Sequence, residues 1–532
     1  MPAPDHPHQA AAPAALRDVA AVPGPNRHYP GPAVVLRADG PAAHDGAAHG
    51  RWIGHVVWLA RHLGWPDPLP HVMSPPSRDD PRRGLTETSP PGVTPLLAFA
   101  APGPALAQAC EIARWAWALA SAERAPELEP GHADDPLRRY AAARQADHAG
   151  PASPPSLASA PPATPQTLLL AGSQGKTTVQ RLLAAVAAEA GQRVALHECD
   201  RDALLLRGLE VTKAELVVVT QAAGELWPAL GVHGAEDDAE AMLATAHAVA
   251  DADQPGWLLL NGADEPLLRT AVQLPHAAAA RWALFARDHE APILNALRGQ
   301  GGPTCGAHQG RLLLSKDGQT HDLGALATMP LALGGAAAVQ VENLAAAALA
   351  AACSGWPLVA LREVLQRFGR QAHDNPGRFE CHGWRGATVV LDAARTTRSL
   401  LELMKFAAAL APRRVALLLG ADGLDLLTAR QRAQQLGAFR PDSVHLHDVA
   451  HAREPWPVGA VPSAVLAEGL QAAGLALAHI QRPAAGVAPH AGLRAAVDTL
   501  LADAREGDVL LLPLPDDAER ERVATLLRAA SR

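Results

Sequence analysis

From Thr167 to Leu514, short apolar runs alternate with long Ala-rich amphipathic stretches, the pattern of parallel sheets whose crossovers are helices. Candidate strands fall at Thr167–Ala171, Arg193–His197, Leu216–Thr220 and Trp257–Asn261, then at Val389–Asp392, Val415–Gly420, Val444–His447 and Val509–Leu514. A helix-like stretch, Val341–Ala352, closes the first series. Ahead of both, Pro151–Gln166 reads P-A-S-P-P-S-L-A-S-A-P-P-A-T-P-Q, where repeated proline removes backbone donors and bars helix. Helical periodicity near Trp52–Leu63 and over Ala105–Ala122 marks a folded segment before it. A chain of 532 residues has room for several domains at about 150 residues each. The expected fold is therefore α/β: an N-terminal α+β domain over 1–150, a Pro-rich linker over 151–165, a central α/β domain over 166–374 and a C-terminal Rossmann-like α/β domain over 375–532. No period of 20 to 50 residues recurs to suggest a solenoid.

Composition narrows the function classes. With 46 Lys and Arg against 54 Asp and Glu, the net charge of −8 offers no electrostatic footprint for nucleic acid or an anionic membrane. Any phosphate must be held locally. Five cysteines (Cys110, Cys199, Cys305, Cys353, Cys381), widely spaced and never in C-x-x-C, signal neither a disulfide framework nor a zinc site, and fit a reducing cytoplasm. No basic-then-apolar leader opens the chain and no apolar run reaches 18 residues, so neither a signal peptide nor a membrane span is expected. His28, His44, His49, His55 and His71 share no metal-ligand spacing and are expected as solvated surface histidines, while Trp117 sits in an apolar helical stretch and is expected in a core or interface.

The sharpest chemical feature is A-G-S-Q-G-K-T-T, Ala171–Thr178, directly after an apolar strand and opening a helix. Small residues at Gly172, Ser173 and Gly175, with Gln174 between, let backbone N–H groups converge on phosphate oxygens at a helix N-terminus. Lys176 can reach the β- and γ-phosphates, Thr177 can ligate magnesium, and Thr178 follows on the helix. The strict G-x-x-x-x-G-K-[ST] form would have Gly where Leu170 stands; the bland alternative is an ordinary strand-to-helix turn with a solvated lysine. At the end of the next strand, H-E-C-D-R (His197–Arg201) offers Glu198 as a carboxylate for Mg²⁺, which prefers oxygen ligands. Lys176 and Glu198 are accordingly the candidate catalytic residues, and Thr177 and Glu198 the candidate metal ligands.

The order of further motifs resembles the Mur ligases, ATP-dependent enzymes that join a carboxylate to an amino acid's amine, and within them the Mur-like half of the cyanophycin synthetases. The resemblance rests on the loop, on His197–Leu209, Val218–Gln221 (V-V-T-Q), Asn261–Leu267 (N-G-A-D-E-P-L), Val341–Ala347 (V-E-N-L-A-A-A), Asn375–Phe379 (N-P-G-R-F) and Val389–Arg395 (V-V-L-D-A-A-R), and on Pro23–Arg27 (P-G-P-N-R) near the start. It implies ATP and Mg²⁺ as cofactors, Lys176 on the γ-phosphate, Asn343 near the adenine, and Arg378 and Asp392 at the nucleotide. Asn343 also reads as a polar residue in an Ala-rich helix, and Asp392 as a cap of the following helix. The ATP-grasp domain of those synthetases has no counterpart, since the Pro-rich tract occupies its place.

The implied activity is that of an acid–amino acid ligase: ATP phosphorylates the carboxylate of an acidic peptide or amino acid, and an amine attacks the acyl phosphate. The chain also departs from the family pattern. Gln221 stands for an Asn, Glu225-Leu226 for an Asp-His pair, no lysine lies in Ala241–Ala250, Asp392–Thr397 keeps only the Asp and one Ala of a longer motif, and an Asp-Arg pair is missing near Gly420–Asp425. These losses leave open a catalytically impaired, ATP-binding relative acting as partner or regulator of a cyanophycin synthetase. Retention of the loop, Glu198, Arg378 and Asp392 together favours the enzyme. The resemblance further implies a homo-oligomer or association with such a synthetase.

Overall fold

A computed structural model describes residues 16–27, 29–38, 46–62, 68–73, 96–101, 106–121, 165–222, 230–250, 254–371, 373–421, 426–449 and 460–530. Residues 151–164 of the Pro-rich tract, His28, His44 and the Glu225-Leu226 pair lie outside them. The fold is α/β. The chain divides into two compact units, one formed by residues 1–176 with 191–284 and the other by residues 177–190 with 285–532.

The first unit opens with an antiparallel sheet of β1 (Leu16–Val22), β2 (Ala33–Ala38), β3 (His71–Met73) and β4 (Leu96–Ala100), in the order β1-β2-β4-β3. Alternation along β4 sends Leu97 and Phe99 toward helices Gly46–His62 and Leu106–Ser121, where Trp52, Leu59 and Trp117 are fully buried, and sends Leu96 and Ala98 toward Tyr29. The Tyr29 hydroxyl donates to the carbonyls of Leu69 (2.7 Å) and Ala98 (3.1 Å). His55, expected at the surface, is buried instead, because it follows Trp52 by three residues and precedes Leu59 by four on the helix face that meets the sheet.

Next come four parallel strands, β5 (Gln166–Ala171), β6 (Val194–Cys199), β7 (Leu216–Val219) and β8 (Trp257–Asn261), in the order β6-β5-β7-β8. Leu168, Leu169 and Leu170 are all fully buried, as are Val217, Val218 and Val219, so these strands do not alternate; a sheet covered on both faces requires this. The segment Pro23–Arg27 docks backbone to backbone on Arg207–Leu209. Gly24 N–H donates to Arg207 O (3.2 Å), Leu209 N–H donates to Pro25 O (2.6 Å), and a Cβ on Gly24 would lie 2.1 Å from the Leu209 carbonyl oxygen. Arg201, at the start of helix Arg201–Arg207, pairs with the wholly buried Asp238 at 3.1 Å.

In the second unit, β9 (Arg281–Asp288), whose last four residues belong here, is followed by the antiparallel strands β10 (Thr304–His308), β11 (Arg311–Lys316) and β12 (Gln319–Ala325), and then by helix Ala338–Cys353, buried around nearly its whole circumference. A second sheet comprises β13 (Glu380–Trp384), β14 (Ala387–Asp392), β15 (Arg414–Leu419), β16 (Ser443–Leu446), β17 (Ile480–Gln481) and β18 (Asp508–Pro513), in the order β13-β14-β18-β15-β16-β17. Only β13 is antiparallel to its neighbour. Helices Thr397–Ala409, Leu426–Gly437 and Pro462–Ala472 bury one face of this sheet, and Pro489–Ala502 and Asp517–Ala530 the other. The chain leaves β14 and β15 toward the first face and β18, which lies between them, toward the second. Crevices for ligands open at such a reversal, at the carboxyl ends of the strands.

Candidate functional site

The loop after β5 is built on the end of β7. Thr220 N–H donates to Ala171 O (2.9 Å), and its hydroxyl bonds both Ala171 O (3.2 Å) and Gln174 O. Ser173 N–H and Oγ both donate to Gln221 O, at 2.8 and 3.1 Å, and the Gln174 amide donates to Gln221 Oε1. Gln221, where the resembled family carries Asn, thus props the loop. Gly172 sits at φ +129° and Gly175 at φ +87°, and a Cβ on Gly172 would stand 2.1 Å from Thr220 Oγ1. Glycine is required at 172 by conformation and by space. Leu170, the departure from the strict motif, is fully buried inside β5, so the turn begins only at Gly172.

The helix begins at Lys176, whose ammonium donates to Gly172 O at 2.7 Å and pairs with Asp200 Oδ1 at 3.2 Å. The carboxylate on Lys176 is Asp200, two residues beyond Glu198, which was expected as a magnesium ligand. Glu198 is half-buried on β6, in register with Leu170. Between Glu198 and Asp200, burial pushes the Cys199 thiol up to about 12 despite the nearby Lys176 ammonium. Among the described residues no cluster of three or more His, Cys, Asp or Glu is arranged to hold a metal ion.

In the second unit, Arg378 Nη2 donates to Thr177 Oγ1 at 3.2 Å, so the arginine of N-P-G-R-F does meet the loop's threonine. Thr178 is buried against Asn375. Asp392 accepts from Phe379 N–H at 2.8 Å; burial raises its carboxyl above the usual range, against the pull of the Arg378 guanidinium. It does not cap the following helix: Thr396 does, in a reciprocal box with Ser399. Asn343, in helix Ala338–Cys353, is buried and donates to Gln340 Oε1 at 3.0 Å.

A small hollow, open to solvent, lies at the carboxyl ends of β14, β15 and β18, lined among others by Arg395, Gly420, Arg432, His447 and Pro515. Arg432 is buried and bridges Thr397 Oγ1 (3.1 Å) and Arg395 O (2.7 Å). Gly420 makes room for the imidazole of His447, since a Cβ there would lie 2.1 Å from Cε1 of the ring.

No family model and no curated protein matches this chain. Solved structures similar to it include a UDP-N-acetylmuramoylalanyl-D-glutamyl-2,6-diaminopimelate–D-alanyl-D-alanyl ligase from Acinetobacter baumannii, at 11% identity over 68% of this chain and 76% of that one with a TM-score of 0.44. A bifunctional folylpolyglutamate synthase/dihydrofolate synthase from Yersinia pestis, complexed with AMPPNP and manganese, matches at 15% identity over 68% and 89% with a TM-score of 0.45. E. coli FolC in complex with DHPP and ADP matches at 15% identity over 69% and 90% with a TM-score of 0.47. At these values the likenesses carry no weight for this chain's activity. No helix among the described residues is long and apolar enough to cross a membrane.

Proposed function

We propose that this chain is an ATP-dependent acid–amino acid ligase of the Mur type. The observation that carries the proposal is the loop itself: two glycines at positive φ, a lysine at the helix start, and an arginine from a distant segment on the next residue's hydroxyl. Such a loop fits a polyphosphate, because the absence of a side chain at 172 lets the turn pack closely on Thr220 and Gln221 and a helix's first N–H groups have no intrahelical carbonyl to bond.

In this function Lys176 exchanges Gly172 O and Asp200 for phosphate oxygens, and Arg378 supplies a planar, permanent charge at Thr177. Asp392 acts through Arg378 and Phe379. A substrate carboxylate oxygen bonds to the γ-phosphorus as ADP leaves. The amine nitrogen then bonds to the acyl carbon, phosphate departs with the former carboxylate oxygen, and the amine gives up a proton. Thr177 and Glu198 would hold magnesium, which when bound offsets the phosphate charge. The acceptor is an acidic peptide or amino acid.

The alternative is a nucleotide-binding partner or regulator of a cyanophycin synthetase. It is favoured by Arg395, whose guanidinium donates to Pro515 O at 3.3 Å and whose carbonyl holds Arg432: a structural use of a position inside the departed motif. ATP titration and phosphate release with aspartyl peptides and arginine test both. ATP should bind, Lys176→Ala should abolish binding, and phosphate should appear only with acceptor and amine together. Tight binding without turnover selects the regulator; ATP affinity unaltered in Lys176→Ala overturns both.

A further inference from the structure

We propose that Arg181 and Asn375 are positioning residues that set Arg378 on the phosphate loop's threonine, so that nucleotide affinity depends on them through Arg378. The inference rests on the nucleotide-binding function proposed above. On helix Lys176–Glu189, Arg181 lies four residues after Thr177 and three after Thr178, so its side chain neighbours both. All three make contact with the N-P-G-R segment. Arg181 Nη1 donates to Asn375 Oδ1 at 3.2 Å and to Pro376 O at 2.9 Å. Asn375 Nδ2 donates to Thr178 Oγ1 at 3.2 Å and to Arg378 O at 3.4 Å. The third contact is that of Arg378 with Thr177 Oγ1.

Asn375 and Thr178 are 7% and 1% exposed, so these bonds are shielded from water and their loss would leave buried polar groups unpaired. The chemistry of the asparagine is specific. Its oxygen accepts from Arg181 and, at 3.4 Å, from Thr178 Oγ1, while its nitrogen donates to Thr178 Oγ1 and to Arg378 O; an aspartate keeps the acceptor but cannot donate to the Arg378 backbone.

The far side of the segment is equally constrained. Gly377 N–H donates to Glu380 Oε2 (2.8 Å), Ala393 N–H donates to Gly377 O (2.9 Å), and Phe379 is held at φ +51° with its N–H on Asp392. A non-glycine residue in that conformation persists only when its surroundings over-determine it. Arg378 thus has its backbone held between two strapped residues, and its guanidinium donates from Nη1 to Gly377 O at 3.2 Å as well as from Nη2 to Thr177 Oγ1. Removing the Arg181–Asn375 strap frees one side of the segment and lets the guanidinium leave the loop.

The test is Mg-ATP affinity by calorimetric titration, with thermal melting alongside, for the full chain and for Arg181→Ala, Arg181→Lys, Asn375→Asp, Arg378→Ala and the double variant Arg181→Ala/Arg378→Ala. Arg181→Ala and Asn375→Asp should each weaken binding by about tenfold, within the range of coupling between contacting residues. Arg181→Lys, which retains a donor for Pro376 O, should recover part of the loss. In the Arg378→Ala background, Arg181→Ala should cost nothing further. Affinity unchanged in a folded Arg181→Ala or Arg181→Lys, or an equal loss with and without Arg378, makes the strap merely structural and overturns the inference alone. Absence of ATP binding by the unaltered chain overturns the proposed function, and this inference with it.

Discussion

Substituting Gly172 by alanine puts the loop geometry to a quantitative test. The new methyl would meet Thr220 Oγ1 at 2.1 Å and the backbone nitrogens of Gln221 and Thr220 at 3.0 and 3.1 Å, at a φ of +129° that side chains rarely adopt. The conformational part costs about 1–3 kcal/mol. Forcing a methyl into a packed site costs about 1–3 kcal/mol more. The loop can lower both terms only by moving, which breaks the bonds of Ser173 to Gln221 and of Thr220 to Gln174. A displaced loop that surrenders about 2.7 kcal/mol of phosphate interaction binds ATP about 100-fold more weakly. The assay is ATP titration beside a thermal melt. Adding Thr220→Ala removes the shortest contact but neither the φ penalty nor the two nitrogen contacts, so the double variant should regain only part of the loss. Affinity within twofold of the unaltered chain for Gly172→Ala alone, or complete rescue by Thr220→Ala, would refute this account of the loop.

Asp200→Asn removes the acid that holds Lys176 at 3.2 Å; because Asp200 is 74% exposed, the pair is worth at most about 1 kcal/mol. Metal-free ATP binding should tighten by up to about fivefold with the melting temperature lowered by at most about 4 °C, and weaker binding would place Asp200 among the groups that hold the nucleotide. The imidazoles of His247 and His276 stack 3.7 Å apart; burial, then the neighbouring ring, lowers His247 to about 4, and burial lowers His276 as well. Folding therefore favours the neutral rings: their stabilisation is complete above about pH 6.5 and is lost toward pH 4, at about 1.4 kcal/mol per pH unit for each proton taken up. Melting curves between pH 4 and 8 should show this fall, flattened in His276→Phe; stability rising on acidification contradicts it.

The parallel strands were legible because a strand covered on both faces must be apolar at successive positions, as Leu168–Leu170 and Val217–Val219 are. The antiparallel β10–β12 escaped notice. These strands mix Thr304, His308, Lys316 and Thr320 with apolar residues, and their main signal was local: Asp317-Gly318, a turn pair with both residues at positive φ. The phosphate loop was legible for a related reason, since its chemistry is contiguous. Arg181 and Asn375 were not, because their partnership joins residues 194 apart and an arginine on an exposed-looking helix resembles any solvated one. The Lys176–Asp200 pair was not read from the sequence, because it joins two elements and depends on the lysine's direction. His55 shows the limit of residue type as a guide, since an imidazole can be carried inside by the helix stripe it belongs to.

Gly420 and His447 occupy what is effectively a single volume, because the ring atoms at 2.1 and 2.4 Å stand where a methyl on Gly420 would be. Substitution at either position is therefore conditional on the other. Alanine at 420 is admissible only with a smaller residue at 447, and a larger ring at 447 is barred while the neighbouring backbone stays put. A library that randomises the two positions one at a time would find each intolerant, whereas one that randomises them jointly should recover viable pairs of complementary size.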